Sequence, residues 1–298
     1  MTRKKRYNSP HFSTTMRSRL SLILAAILLI TTASAAVAQH AASDSINPYR
    51  VVVRSSLHGI SMLNNLDTYL SGYNYKGAGY HYSHETFRKA HTGSYNWRYR
   101  TLTDFTIGYA TLHNSTQLVA MASRRWSGYH AFDISDRLQL LAGAQIELTG
   151  GALYLPSNGN NPVSVKLRSA IAASGMAIYK FNMGSRKCKA RYQIDIPMAG
   201  VMFSPEFGQS YYEIFGLGHT DGIVNFSNIV NSPSWRHMLS LDIPMGKSTM
   251  RVAYIADLYQ STVNDIRTHE YSHTIAIGFT KTIYKVKRND PIEAYSPY

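Results

Sequence analysis

The sequence predicts an all-β protein: a single antiparallel transmembrane β-barrel of about 12 strands, with 10 to 14 compatible with the pattern. Three observations predict it. Residues 138–148 alternate without interruption, with Leu138, Leu140, Ala142, Ala144, Ile146 and Leu148 on one face and Gln139, Leu141, Gly143, Gln145 and Glu147 on the other. Alternation over this length belongs to a strand whose two faces meet different media. Similar tracts recur along the chain and no helical face competes with them. A leader ahead of them carries the marks of export.

That leader is expected to be residues 1–38. An apolar block at 20–30 follows Arg17 and Arg19, with Arg3, Lys4, Lys5 and Arg6 upstream, and Ala36-Val37-Ala38 closes it as a small-x-small cleavage site. The block is short for a membrane anchor, and its three-part layout is that of a secretory signal peptide. Either Met1 or Met16 can serve as its start. The leader holds six of the 31 Lys and Arg and none of the 17 Asp and Glu, so the remaining 260 residues carry 25 against 17, a net of +8. That mild basicity suits lipid headgroups or lipopolysaccharide; no basic run interleaved with aromatics points to nucleic acid. Cys188 is the one cysteine, which excludes an internal disulfide and a cysteine metal site. The 22 Tyr, against 10 Phe and 3 Trp, fit the aromatic girdles of membrane barrels.

Residues 39–65 read as a periplasmic lead-in, 66–286 as the barrel and 287–298 as a tail. Strand-like tracts occupy 66–76, 92–100, 103–112, 117–126, 138–153, 163–181, 189–198, 201–212, 237–245, 249–259 and 269–286. The tract at 163–181 is long and can break at Ser174-Gly175, which brings the number to twelve, even as a closed single-chain barrel requires. In several tracts the apolar face is paired with a charged one. Tyr192, Ile194 and Ile196 oppose Arg191 and Asp195; Leu239, Leu241 and Ile243 oppose Asp242; Val252, Tyr254 and Leu258 oppose Arg251 and Asp257. With the apolar faces toward lipid, Glu147, Arg191, Asp195, Asp242, Arg251 and Asp257 line the lumen, where opposite charges can pair and fill it.

The segment Asp195-Ile196-Pro197-Met198 returns as Asp242-Ile243-Pro244-Met245, each followed by Gly within two residues. Pro cannot donate to a ladder and Gly permits a turn, so both are expected to be tight periplasmic hairpin turns. Residues 155–162, 216–234 and 260–268, rich in polar and turn residues, are expected to be longer external loops. Tyr284 is the aromatic residue that would close the last strand.

Residues 145–154 (QIELTGGALY), 172–177 (AASGMA), 203–215 (FSPEFGQSYYEIF) and the final strand resemble a family of outer-membrane barrels from Gram-negative anaerobes, catalogued as a domain of unknown function. The resemblance covers most of the chain beyond the leader. It implies a barrel, the outer membrane and, as partners, outer-membrane lipid, lipopolysaccharide and the barrel-assembly machinery. It supplies no activity, and oligomeric state stays open.

Two sets of residues could carry chemistry. His81 and Ser83, with Glu85 next on the same strand face, have the His-x-Ser spacing of outer-membrane phospholipase A-type barrels, although Asn-Gly does not follow the serine. Ser210, Glu213 and His219 form the second set, but Ser210 lacks a nucleophile-elbow context. For both, a decorative or structural role is the plainer reading. The histidine groups His81, His84 and His91, and His269 and His273, lack a supporting Asp or Cys pattern, so no metal is expected. No Gly-rich phosphate loop or dinucleotide fingerprint is present, and no cofactor is expected. The leading reading is a non-enzymatic narrow channel or structural envelope protein. An outer-membrane lipid hydrolase and a secreted soluble β-sandwich are the alternatives.

Overall fold

Eleven strands make one antiparallel sheet in a computed structural model that describes residues 49–89, 96–246 and 248–286. They are β1 (Tyr49–Asp67), β2 (Ser71–Lys89), β3 (Trp97–Leu112), β4 (Ser115–Asp133), β5 (Leu138–Tyr154), β6 (Val163–Met183), β7 (Arg186–Phe203), β8 (Val224–Asn228), β9 (Ser234–Met245), β10 (Ser248–Val263) and β11 (Ile266–Val286). One short helix, α1 (Tyr211–Phe215), lies between β7 and β8. Pairing of β1 with β11 and of β6 with β7 closes the sheet into a barrel. Closure gives the long strands partners on both sides, as a lipid environment demands.

The wall has ten positions, the lower end of the expected range. The short β8 stands in line with β9: β7 pairs with β9 over Lys189–Asp195 and with β8 over Ala199–Phe203. Strands are longer than the alternation alone suggests. Residues 97–100 of the tract at 92–100, whose positions 92–95 lie outside the described residues, and the tract at 103–112 belong to β3, and 163–181 runs unbroken as β6, because Ser174 and Gly175 keep their ladder partners Gly143 and Ala142. The lead-in expected at 39–65 is corrected as well. From Tyr49 onward the chain is β1, whose mixture of Ser, Asn and apolar residues hides its period. The tract at 66–76 straddles the turn Thr68–Leu70 between β1 and β2. The expected leader, Tyr298 and His91 lie outside the described residues.

Turn chemistry fixes the hairpins. Asn264 and Asp265 both have positive φ (53° and 59°), the two-residue pattern that matches strand twist. Residues 260–268, expected as a loop, are therefore a tight β10–β11 hairpin. Gly246 (φ 62°) makes the expected turn after Ile-Pro-Met in β9. The first Ile-Pro-Met is not a turn. Pro197 sits inside β7, opposite Ala172, with a register irregularity that leaves Met198 unmatched. Proline is tolerated there because β9 has already left β7 and β8 has not yet joined it. Residues 155–162 and the excursion 204–233 form loops at the barrel end opposite Gly246.

Faces follow the alternation. Ile60, Phe105, Leu140, Tyr192, Leu239, Tyr254, Ile275, Ile277 and Phe279 are exposed on the outside. The inside holds Ser55, Arg100, Gln117, Gln145, Gln193 and Thr274, all buried. This inversion of a soluble protein's pattern is that of a barrel bathed in lipid. Close approach of strands sheds a side chain: a Cβ on Gly278 would lie 1.9 Å from the Ser56 carbonyl oxygen.

Candidate functional site

The lumen is filled. Near the loop end, Leu63, Tyr69, Leu70, Tyr75, Val119, Leu153, Leu155 and Ile266 pack together, and Tyr211 of α1 lies against them. Lower down are two further apolar clusters, one of Leu57, Met238, Ala253, Ile255 and Ala276, the other of Tyr129, Ala131, Leu141 and Met176. Between these apolar regions the barrel crosses itself with charge.

The first charged layer centres on Glu85 of β2. Arg191 grips it with two bonds of 2.7 Å, while Arg100 and Arg251 each reach it at 3.1 Å. Arg251 also holds Asp242 through two bonds, of 2.6 and 2.8 Å. Arg100 lies 3.7 Å from Asp195, which takes hydrogen bonds from Ser174 and from Gln193. Three guanidinium groups thus face three carboxylates. Glu85 on β2 and Arg191 on β7 stand on opposite sides of the wall, so their bond ties the barrel across its lumen, while Arg100 reaches Glu85 from the neighbouring β3. Charges this deep are tolerated only when paired and hydrogen-bonded.

The second layer centres on Asp104 of β3. Arg125 and Arg236 both bind it, and His81 Nε2 lies 3.6 Å away. Arg125 also donates to Glu147 at 3.1 Å and lies 3.7 Å from Asp257, to which Arg236 donates. Here three carboxylates face two guanidinium groups. Above this layer lies a cavity of about 120 Å³. Its polar floor is His81, Asp104, Arg125, Glu147, Arg236 and Asp257, and its other walls include Leu63, Val119, Leu153 and Met202. On one side it reaches the break in the wall, bordered by Pro197 and Met198 of β7 and by Ser232 and Ser234 at the start of β9. Arg168, bonded to Glu270 at 3.1 Å and lying over the Tyr259 ring, borders it above.

All six residues expected to face the lumen do face inward and are ion-paired: Glu147, Arg191, Asp195, Asp242, Arg251 and Asp257. The equally central Arg100, Asp104, Arg125 and Arg236 escaped the sequence reading. Arg236 shares its parity with Asp242 but lies one residue before the tract that alternation marked out. Arg125 adjoins Arg124, and two adjacent arginines leave the facing of each undecided.

The structure separates the catalytic candidates from chemistry. His81, Ser83 and Glu85 do share the inward face and are buried. Yet His81 Nδ1 pairs with Thr106 Oγ1 at 2.9 Å, and no hydrogen bond joins it to Ser83. Glu85 is committed to three arginines. A serine nucleophile needs a base within reach. The second set is brought together for another purpose. Ser210 is the N-cap of α1: its Oγ accepts from the Glu213 N–H at 3.2 Å, and the Glu213 carboxylate accepts from the Ser210 N–H at 2.7 Å. This capping box is legible as Ser-x-x-Glu. These hydrogen bonds hold the exposed Glu213 carboxyl below the usual carboxylate range. His219 meets Glu213 only through a backbone bond. His84 bonds Ser56 at 3.0 Å and His273 bonds Tyr254 at 2.7 Å. Among the described residues no group of His, Cys, Asp or Glu is gathered for a metal.

A closed barrel, apolar outside and cross-braced by ion pairs within, defines a β-barrel of the outer-membrane type. The chain belongs to the DUF3316 family, described as a protein of unknown function, whose pattern matches residues 20–290. No protein of curated function matches it. Among solved structures it is similar to the outer membrane protease OmpT from Escherichia coli (6% identity, 82% of this chain and 100% of that one, TM-score 0.45). It is also similar to the translocator domain of the autotransporter NalP from Neisseria meningitidis (10%, 88% and 97%, 0.39). A third is the COG4313 outer membrane channel from Pseudomonas putida F1 (10%, 80% and 97%, 0.36).

Proposed function

We propose that the protein is a non-enzymatic barrel of the Gram-negative outer membrane, exported by its leader, whose lumen is braced shut rather than open to diffusion. One observation carries this reading: Glu85 is clasped by arginines from β3, β7 and β10, so the charges that would line a pore neutralise one another across it. Apolar clusters within the lumen support the same reading. Of the two roles that a non-enzymatic barrel can fill, narrow channel or structural envelope protein, this supports the second. Lipid and lipopolysaccharide are the partners that its apolar outer face and net positive charge suit.

Reconstitution into a planar bilayer tests it. The purified protein should insert, shift its gel mobility on boiling, and pass no steady current. A stable single-channel conductance would overturn the braced-shut reading. Release of fatty acid from phospholipid or lipid A by the same preparation, abolished by Ser83→Ala or Ser210→Ala, would move the protein to the hydrolases.

A further inference from the structure

The layer beneath the cavity has one more carboxylate than it has guanidinium groups, with His81 beside it. Asp104, Glu147 and Asp257 share two guanidinium groups, those of Arg125 and Arg236. The side chain of Asp257 keeps 38% of its surface free, open to the cavity. Independently, His81 Nε2 faces the same space without a hydrogen-bond partner, although its side chain is 95% buried. A buried polar atom left unmatched costs stability, and an unbalanced buried carboxylate costs more. Both deficits are met by one group, a cation that also donates hydrogen bonds. A bare metal ion does not suit, because the described carboxylates and imidazoles are not gathered as a metal needs.

We propose that this cavity binds a small primary amine bearing a short apolar group. An ammonium has three N–H donors. Asp257 and Glu147 accept two and balance the charge; with Nδ1–H given to Thr106, His81 Nε2 accepts the third. The apolar part lies against Leu63, Val119, Leu153 and Met202. A volume of about 120 Å³ suits a ligand of the size of a butylamine. The Glu85 layer, with three guanidinium groups for three carboxylates, has no surplus of negative charge. Binding of an amine goes beyond the braced-shut reading and does not require it, since a conducting barrel could hold the same site.

Calorimetry on the full-length protein in detergent tests this with n-butylamine, n-butanol and butyrate at neutral pH. Saturable one-to-one binding is expected for the amine alone. Asp257→Asn should weaken it by about tenfold or more, the scale of losing a partner from a buried charge pair, while Asp257→Glu retains binding. Val119→Phe, which fills the apolar end and leaves every charge in place, should abolish binding, with heat-modifiability on gels confirming that each variant folds. Absence of saturable amine binding by the wild type, equal binding of butanol, or unchanged affinity in both Asp257→Asn and Val119→Phe would overturn the proposal. A proton held within the layer in place of a ligand would give the first of these results.

Discussion

The two charged layers of the lumen use the same residue types and differ in count. Around Glu85, three arginines meet three carboxylates, so the charges match in number. Around Asp104, two arginines meet three carboxylates, and the surplus faces a cavity. The first arrangement is a brace balanced in charge. The second is left open to something that completes it. The difference teaches that lumenal charge alone does not mark a site; the unmatched remainder does.

Replacing Glu85 by Gln should have the largest effect. It leaves Arg191 without a carboxylate and takes one from Arg100 and Arg251, and breaking a buried pair typically costs about 3–5 kcal/mol. The variant's gel-shift temperature should fall well below that of the wild type. A near-normal value would mean that the brace is decorative. Asp104→Asn should cost less, about 1–3 kcal/mol, because Arg125 and Arg236 retain Glu147 and Asp257 and the layer's surplus is relieved. Thermal unfolding of the two variants side by side measures the contrast. Asp257→Asn should be nearly neutral, within about 1 kcal/mol, since two guanidinium groups then face two carboxylates. A loss as large as that of Glu85→Gln would erase the distinction between the layers.

The smallest effect lies outside the lumen. Ser210→Ala should fray α1 by about 1 kcal/mol and leave barrel unfolding unchanged, as hydrogen exchange at residues 211–216 would show. The pH dependence of that helix follows from Glu213. Its carboxyl is held below the usual carboxylate range in the fold, so the capping is complete above that range and is lost as pH falls through the lowered value. Exchange that is insensitive to acid would show that Glu213 does not take part in the cap.

Much of the fold was legible because lipid imposes a period of two. Strands β5, β9, β10 and β11 declare themselves through outward Leu, Ile, Tyr and Phe. Strand β1 does not: its inward face mixes Ser55, Leu57, Ser61 and Leu63, all buried, so polarity does not separate the faces. A lumen packed with both apolar and polar side chains blurs the contrast on which the pattern rests. The six lumenal charges found from sequence lie in the cleanest tracts. Their partners Arg100, Arg125 and Arg236 come from other strands, and only the closed barrel shows which positions face each other. The Ile-Pro-Met repeat misled because proline's missing donor is equally at home at a turn and at an interrupted ladder.

That interruption gives the barrel a weak seam, and its place along the chain matters mechanically. Seven register pairs join β7 to β9, against nineteen between β1 and β11, the strands nearest the chain ends. A load applied at the ends is borne in shear by the longest ladder in the wall. The line along which the cylinder tears most readily runs through the middle of the sequence, beside Pro197. Unzipping there would release two curved halves still stitched together by their termini, so refolding needs only a short seam to be rejoined.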